Sequence, residues 1–308
     1  MSDIILHNFQ ASPFGAKIRL ILGLKHLPWK WAETELILPK PNLTALTGGY
    51  RKSPVLQIGA DIYCDSRLIA QELEARYPTP TLFPGGNRGL ILALSCWSDR
   101  DLHIASSGLV IGVNKKQFPG DLMNDRRKYF DGFLDFDGLD HDIPHLTSVL
   151  RPHVDFVEQQ LSDGRPFLLG QEISLADFHA YVEIWTARTF VPFVEKVFAP
   201  FKHVSEWEKR VKDVGYGEYS TISAAEAHEI AKNSDPLPGK GVDPDDALGL
   251  TAGDLVVVTP DDYGREPVVG NLRTLTTHEV AIERNDPIVG KVVVHFPRIG
   301  FRVAAVAS

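Results

Sequence analysis

Cysteine is nearly missing from this 308-residue chain, with Cys64 and Cys96 its whole complement. Two thiols cannot build a disulfide framework, nor by themselves a four-ligand zinc site. Long hydrophobic runs are missing too. Stretches such as 90–98 stop well short of the roughly 18 apolar residues that a membrane span needs, so no membrane segment is expected. Basic charge is in deficit: 32 Lys and Arg against 40 Asp and Glu leave a net charge of −8. With a pI near 5.8, that balance lacks the clustered basic footprint of a nucleic-acid or anionic-membrane binder. The first residues do not run from a basic segment into an apolar one, as a secretory signal does, and with so few cysteines they suggest the reducing cytosol. No internal repeat or low-complexity tract interrupts the chain.

What is present is the balance of a globular protein, 44% hydrophobic and 23% charged, with a length that suggests two cores and an appendage. Residues 4–9 form a short apolar, β-branched run that reads as a buried strand. Ser12 and Pro13 then suit the N-cap and first position of a helix running to Gly23. A second strand is expected over 29–38. Residues 55–58 and 62–64, separated by Gly59-Ala60-Asp61, read as a hairpin. Another helix starts at Asp65-Ser66 and ends near Tyr77-Pro78.

From 90 to 233 the hydrophobic period becomes helical, with Leu90, Leu94 and Trp97 on one face and Leu146, Leu150, Val154, Val157 and Leu161 on another. Three Ser-x-x-acid pairs, Ser174 with Asp177, Ser205 with Glu208 and Ser223 with Glu226, read as capping boxes. A Pro/Gly linker then precedes four β-branched segments at 255–258, 268–272, 278–282 and 291–296. The domains expected are therefore 1–84, 88–233, a linker at 234–248, and a small β-rich module at 249–308.

Three features could carry chemistry. The Ser12-Pro13-Phe14-Gly15 turn places backbone N–H groups and the positive end of a helix dipole where an anion, such as a thiolate, would be stabilised; taken alone, simple N-capping is the better explanation of Ser12, and helix capping explains Asp65-Ser66 equally well. Ser53-Pro54 opens a strand, a place where a cis bond can turn backbone groups toward a ligand. Asp65-Ser66 joins a carboxylate and a hydroxyl to exposed helix donors, a combination that can hold a group bearing both an ammonium and a carboxylate. Cys64 alternates with strand residues and reads as a small buried hydrophobe. Trp97, His103 and Trp185 read first as packing, and the histidines show no ligand spacing for a metal.

Together these motifs resemble the cytosolic glutathione transferase superfamily. Ala11-Ser12-Pro13-Phe14, Lys52-Ser53-Pro54-Val55-Leu56, Asp65-Ser66-Arg67-Leu68-Ile69 and Tyr77-Pro78 stand in that family's order and spacing. Ser174-Leu175-Ala176-Asp177-Phe178 resembles the N-capping motif of its helical domain. The resemblance spans about residues 3–230. It implies a thioredoxin-like α/β domain and an all-α domain; with the small all-β module read from the β-branched tail, which the family's two domains do not include, the expected fold class is an α+β multidomain protein.

The resemblance further implies glutathione as cosubstrate. Ser12 would donate a hydrogen bond to its sulfur, Ser53 would meet the cysteinyl unit through a cis Pro54, Asp65 and Ser66 would hold the γ-glutamyl end, and Lys40 and Lys52 would reach the glycyl carboxylate. The second substrate would be a small hydrophobic electrophile, and the protein a homodimer. No tyrosine stands among Asn8, Phe9 and Gln10, which disfavours a tyrosine-type activator. Ser12 and Gly15 occupy the positions where thiol-transferring relatives carry cysteines, which disfavours disulfide exchange. A non-catalytic glutathione-binding scaffold and a glutathione-dependent isomerase or dehalogenase are the rival readings. The β module, whose charges nearly balance, is expected to dock on the helical domain or on a second subunit and to leave the glutathione site untouched.

Overall fold

The computed structural model describes residues 3–306. The apolar start forms β1 (Ile5–Asn8), buried along its length. It is followed by α1 (Pro13–Leu24) and β2 (Trp29–Glu33), which pairs parallel to β1. Strand β2 ends short of the expected residue 38 because its partner β1 ends at Asn8, the residue opposite Glu33. Beyond α2 (Pro41–Thr47), the hairpin of β3 (Val55–Ile58) and β4 (Asp61–Cys64) continues the sheet, with β3 antiparallel to both β1 and β4. Helix α3 (Ser66–Arg76) follows directly. This β-α-β, β-β-α order is the thioredoxin-like fold that the motifs imply.

The chain then turns helical through α4 (Arg88–Trp97), α5 (His103–Asn114), α6 (Gly120–Tyr129), α7 (Leu139–Leu161), α8 (Leu175–Phe190), α9 (Val194–Phe198) and α10 (Lys202–Lys212). The Ser174–Asp177 box caps α8, and the buried Asp177 carboxylate also accepts from the Leu168 N–H at 2.8 Å and the Trp207 indole at 2.9 Å. Ser205 and Glu208 form no such box. Helix α10 has already begun at Lys202, so Ser205 lies inside it and donates to the Phe201 carbonyl, while Glu208 pairs with Arg188.

Strand β5 (Tyr219–Thr221) pairs with β2, and α11 (Ala224–Lys232), capped by the Ser223–Glu226 box, follows it. The final strands are β6 (Gly241–Val242), β7 (Leu255–Pro260), β8 (Val268–Leu275), β9 (Glu279–Asp286), β10 (Gly290–Pro297) and β11 (Phe301–Ala305). The chain divides into one compact unit of residues 1–18, 28–72 and 218–308 and another of 19–27 and 73–217. Residues 218–233, expected with the helical domain, thus lie with the sheet. The physical reason is local: β5 extends β2, and Ala227 of α11 packs on Ile5 and Ala32. The expected linker at 234–248 carries β6, and its Leu237 N–H donates to Asp61 at 2.9 Å.

The extra C-terminal sheet region does not stand apart. Strand β10 pairs parallel with β4 through Val293, Val294 and His295, so one sheet runs β11-β7-β8-β9-β10-β4-β3-β1-β2-β5, with β6 beside β8. This corrects the expectation that the module docks on the helical domain or on a second subunit. Strand β4 would otherwise present a bare edge of N–H and C=O groups, and the module's β-branched faces need an apolar cover. Both needs are met at once: Leu46, Tyr50, Val55, Ile62 and Cys64 share one core with Val256, Leu272, Ile282, Val294 and Phe296.

A buried polar cluster marks the seam. His295 of β10 lies 2.9 Å from the Asp61 carboxylate of β4 and 2.6 Å from Glu279 of β9, and it stacks on Tyr63 at 4.4 Å. Burial would lower the imidazole's pKa, but the two carboxylates outweigh it and hold the group above its ordinary value. Lys240 closes the cluster on Glu279.

Candidate functional site

All seven residues singled out by motif lie in the first unit. Ser12 is buried at the start of α1, and its Oγ accepts from the Gly15 N–H at 3.0 Å. That bond is an N-cap, and it uses an oxygen lone pair while leaving the hydroxyl proton to donate. Glycine at 15 has a packing reason: a Cβ there would stand 2.0 Å from the Asn8 Oδ1. The Asn8 amide is itself fully buried, and neither of its polar atoms has a protein partner among the described residues.

The Ser53–Pro54 bond is cis, and the Ser53 hydroxyl lies 3.3 Å from that of Thr34. Asp65 adopts a left-handed backbone with φ of 74°, a conformation that Asp tolerates better than most residues. Its Oδ1 caps α3 by accepting from the Arg67 N–H at 2.9 Å, and its Oδ2 lies 3.2 Å from the Arg67 guanidinium. Ser66 is buried and accepts from the Lys17 ammonium at 3.2 Å, which joins the first turn of α3 to α1. Lys40 is buried with its ammonium 5.7 Å from the Phe9 ring.

Lys52 has a partner that its motif does not foretell. Its ammonium pairs with Asp262 and lies 4.1 Å over the Tyr263 ring. Burial pulls its pKa below the ordinary lysine value against the opposing pull of Asp262, and the more distant Asp65 and Arg67 act on the same charge. Next to it, Arg51 pairs with Glu266 at 3.1 Å. A second module loop touches the other pole, where Arg67 donates to the Ile299 carbonyl at 3.2 Å. Gly300, with φ of +91°, sits so close that a Cβ would stand 2.7 Å from that guanidinium. The module therefore abuts the candidate site, contrary to the expectation that it leaves the site untouched.

Lys17 belongs to none of the motifs, although Lys17 and Arg19, both buried, interrupt the apolar run of 16–22 and are a visible signal for buried charge with a purpose. Asp262 and Tyr263 had no such signal, because about 210 residues separate them from Lys52. Elsewhere, Cys64 is fully buried, and burial pushes its thiol pKa well up. His103 is buried against the Glu183 carboxylate at 3.1 Å, and Trp97 donates to His153 at 3.1 Å.

Comparison with known proteins accords with this arrangement. Residues 6–81 match the glutathione S-transferase N-terminal domain and residues 149–212 the C-terminal domain. A solved GST-like protein from Pseudomonas syringae is 36% identical, with 99% of this chain and 100% of that chain covered at a TM-score of 0.78. The chain belongs to the glutathione transferase superfamily. Among curated members, a glutathione S-transferase of Arabidopsis thaliana is 27% identical over 27% of this chain and 37% of its own length. A maleylpyruvate isomerase of Ralstonia is 29% identical over 38% of this chain and 57% of its own length. The matches thus span between about a third and three fifths of those two relatives. No helix of this superfamily member is long and apolar enough to cross a membrane, among the described residues.

Proposed function

We propose that this protein is a serine-type glutathione transferase, in which Ser12 holds the thiolate of bound glutathione for attack on an electrophilic carbon of a small hydrophobic cosubstrate. The observation that carries the reading is the Ser12 hydroxyl, fixed at the N-terminus of α1 by the Gly15 N–H with its own proton left to donate. A hydrogen bond to a charged acceptor contributes about 1.5–3 kcal/mol, enough to lower a thiol pKa by roughly one to two units. The thiol proton leaves to solvent, the sulfur pair forms the C–S bond, and the electrophile's leaving group departs with its own pair. Ser53, with its cis Pro54, would pair its backbone with the cysteinyl unit. Asp65 would accept from the γ-glutamyl ammonium, with Ser66 and the Lys17 ammonium beside the α-carboxylate. Lys40 and Lys52 would face the glycyl end. The family likeness supports a homodimer, and the two free thiols fit a cytosolic setting.

The Ser12→Ala variant tests this reading. Its kcat/KM for conjugating a generic electrophile should fall at least about tenfold, with a raised apparent thiol pKa and an unchanged circular dichroism spectrum. Wild-type activity in that variant would move the catalytic hydrogen bond elsewhere. The likeness to maleylpyruvate isomerase favours a second reading, in which the same thiolate adds to an activated double bond and later departs. Product analysis separates the two, because an isomerase regenerates free glutathione.

A further inference from the structure

The module's 260–266 loop places a carboxylate and an aromatic ring at the cationic pole of the candidate site. We propose that Asp262 and Tyr263 are specificity residues that select a γ-glutamylcysteinyl thiol whose C-terminal end carries no negative charge, such as an amide or ester of the glycyl carboxylate, over glutathione itself. This inference rests on the reading of Lys52 as a contact for the glycyl end. In that pose a ligand carboxylate would reach an ammonium already neutralised by Asp262, and would stand beside a second carboxylate. Like charges brought together in a partly buried site repel, which is how a pocket rejects one ligand in favour of its neutral analogue. A neutral end meets no such repulsion, and the buried Tyr263 ring, 4.1 Å from the ammonium, backs that pole with apolar rather than charged groups.

The loop is held where it is and does not simply hang over the site. Strand β7 pairs with β11 up to the Pro260–Phe301 position, and the Asp261 N–H donates to the Gly300 carbonyl at 3.0 Å. The Asp262 carbonyl accepts from the Arg265 guanidinium at 2.8 Å, and Glu266 anchors the far end on Arg51. These contacts fix the backbone at Asp262, so its carboxylate is carried within reach of the Lys52 ammonium. Its charge is therefore part of the built pole.

Calorimetry on the full chain with glutathione and with glutathione glycyl monoethyl ester tests the proposal. The wild type should bind the ester at least about tenfold more tightly, equivalent to roughly 1.4 kcal/mol. The isosteric Asp262→Asn variant should gain affinity for glutathione and bring the two Kd values within about twofold of each other, since the repelling charge is gone. Asp261→Asn, which removes the same charge from the exposed neighbouring position, should leave the wild-type preference in place. Equal or tighter binding of glutathione by the wild type overturns the proposal, as does a preference that survives in Asp262→Asn. Absence of binding of either thiol by both proteins overturns the glutathione reading itself, and this inference with it.

Discussion

His7 shows how a single residue's environment sets its chemistry. It stands in β1, buried, with Nε2 donating to the Gln57 Oε1 at 2.8 Å, and Gln57 in turn donates to the Ala227 carbonyl at 2.7 Å. Burial chiefly, with a smaller contribution from His228, lowers the imidazole's pKa from 6.5 to about 4. The unfolded chain therefore binds a proton that the folded chain refuses, and stability must fall as pH drops from 6.5 toward 4. The expected loss between pH 7 and pH 5 is about 2 kcal/mol, read from urea midpoints. The His7→Gln variant, which keeps a donor toward Gln57, should lose less over the same range. An identical loss in both proteins would mean that His7 is not held neutral. His295 is common to both proteins and cancels in the difference between them: its pKa is raised, so its contribution is fully present below 6.5, fades as pH rises through its folded value, and acts against the His7 loss within this window. At this same scale Ser12, Ser53, Asp65 and Ser66 were legible, because each sits next to a cap, a proline or a helix start. The partners that complete them, Lys17 for Ser66 and Asp262 for Lys52, lie 49 and 210 positions away.

Elements divide along the same line between local and distant causes. Helix α11 is capped as its sequence foretells, with the Glu226 N–H reaching the Ser223 Oγ at 3.2 Å and the Glu226 carboxylate accepting from the Ser223 N–H at 3.0 Å. The Ser-x-x-Glu pattern at 205–208 is identical in type, yet it falls inside α10 because Lys202 and the residues after it are already helical. Ser223→Ala should therefore destabilise the protein by about 1 kcal/mol. Ser205→Ala should change stability by less than about 0.5 kcal/mol, since Ser205 only donates back to the Phe201 carbonyl. Thermal unfolding of the two variants side by side checks the difference, and equal shifts would count against the two roles assigned here. Strand ends follow the same logic: β2 stops where β1 stops, and no property of residues 34–38 announces it.

For the whole molecule, the consequential feature is the seam between β4 and β10. A chain ending before residue 242 would keep every motif of the candidate site but would strip β4 of its pairing with β10 and open the core around Tyr50, Ile62 and Cys64. It would also remove Glu279 and His295 and leave the Asp61 carboxylate without the imidazole that it faces. Such a truncation should be insoluble, or should melt well below the full chain, by light scattering and calorimetry. A soluble truncation with the parent's melting temperature would show that the module is an independent appendage after all.

The order of strands and helices through residue 84 apart from α2, the helical middle and the β character of the tail were written in the sequence, because hydrophobic period, caps and turn residues act over a few positions. The family was legible for the same reason, its signature being a set of short local motifs. What only the tertiary structure decided is which surfaces those elements cover. Whether the tail's β-branched strands closed on themselves, on the helices or on the open edge of β4 depended on hydrogen-bond edges and apolar faces brought together from over 200 residues apart, and no local pattern encodes that choice. The charge at the cationic pole of the site was settled by the same event, since Asp262 reaches Lys52 only because β10 has joined β4.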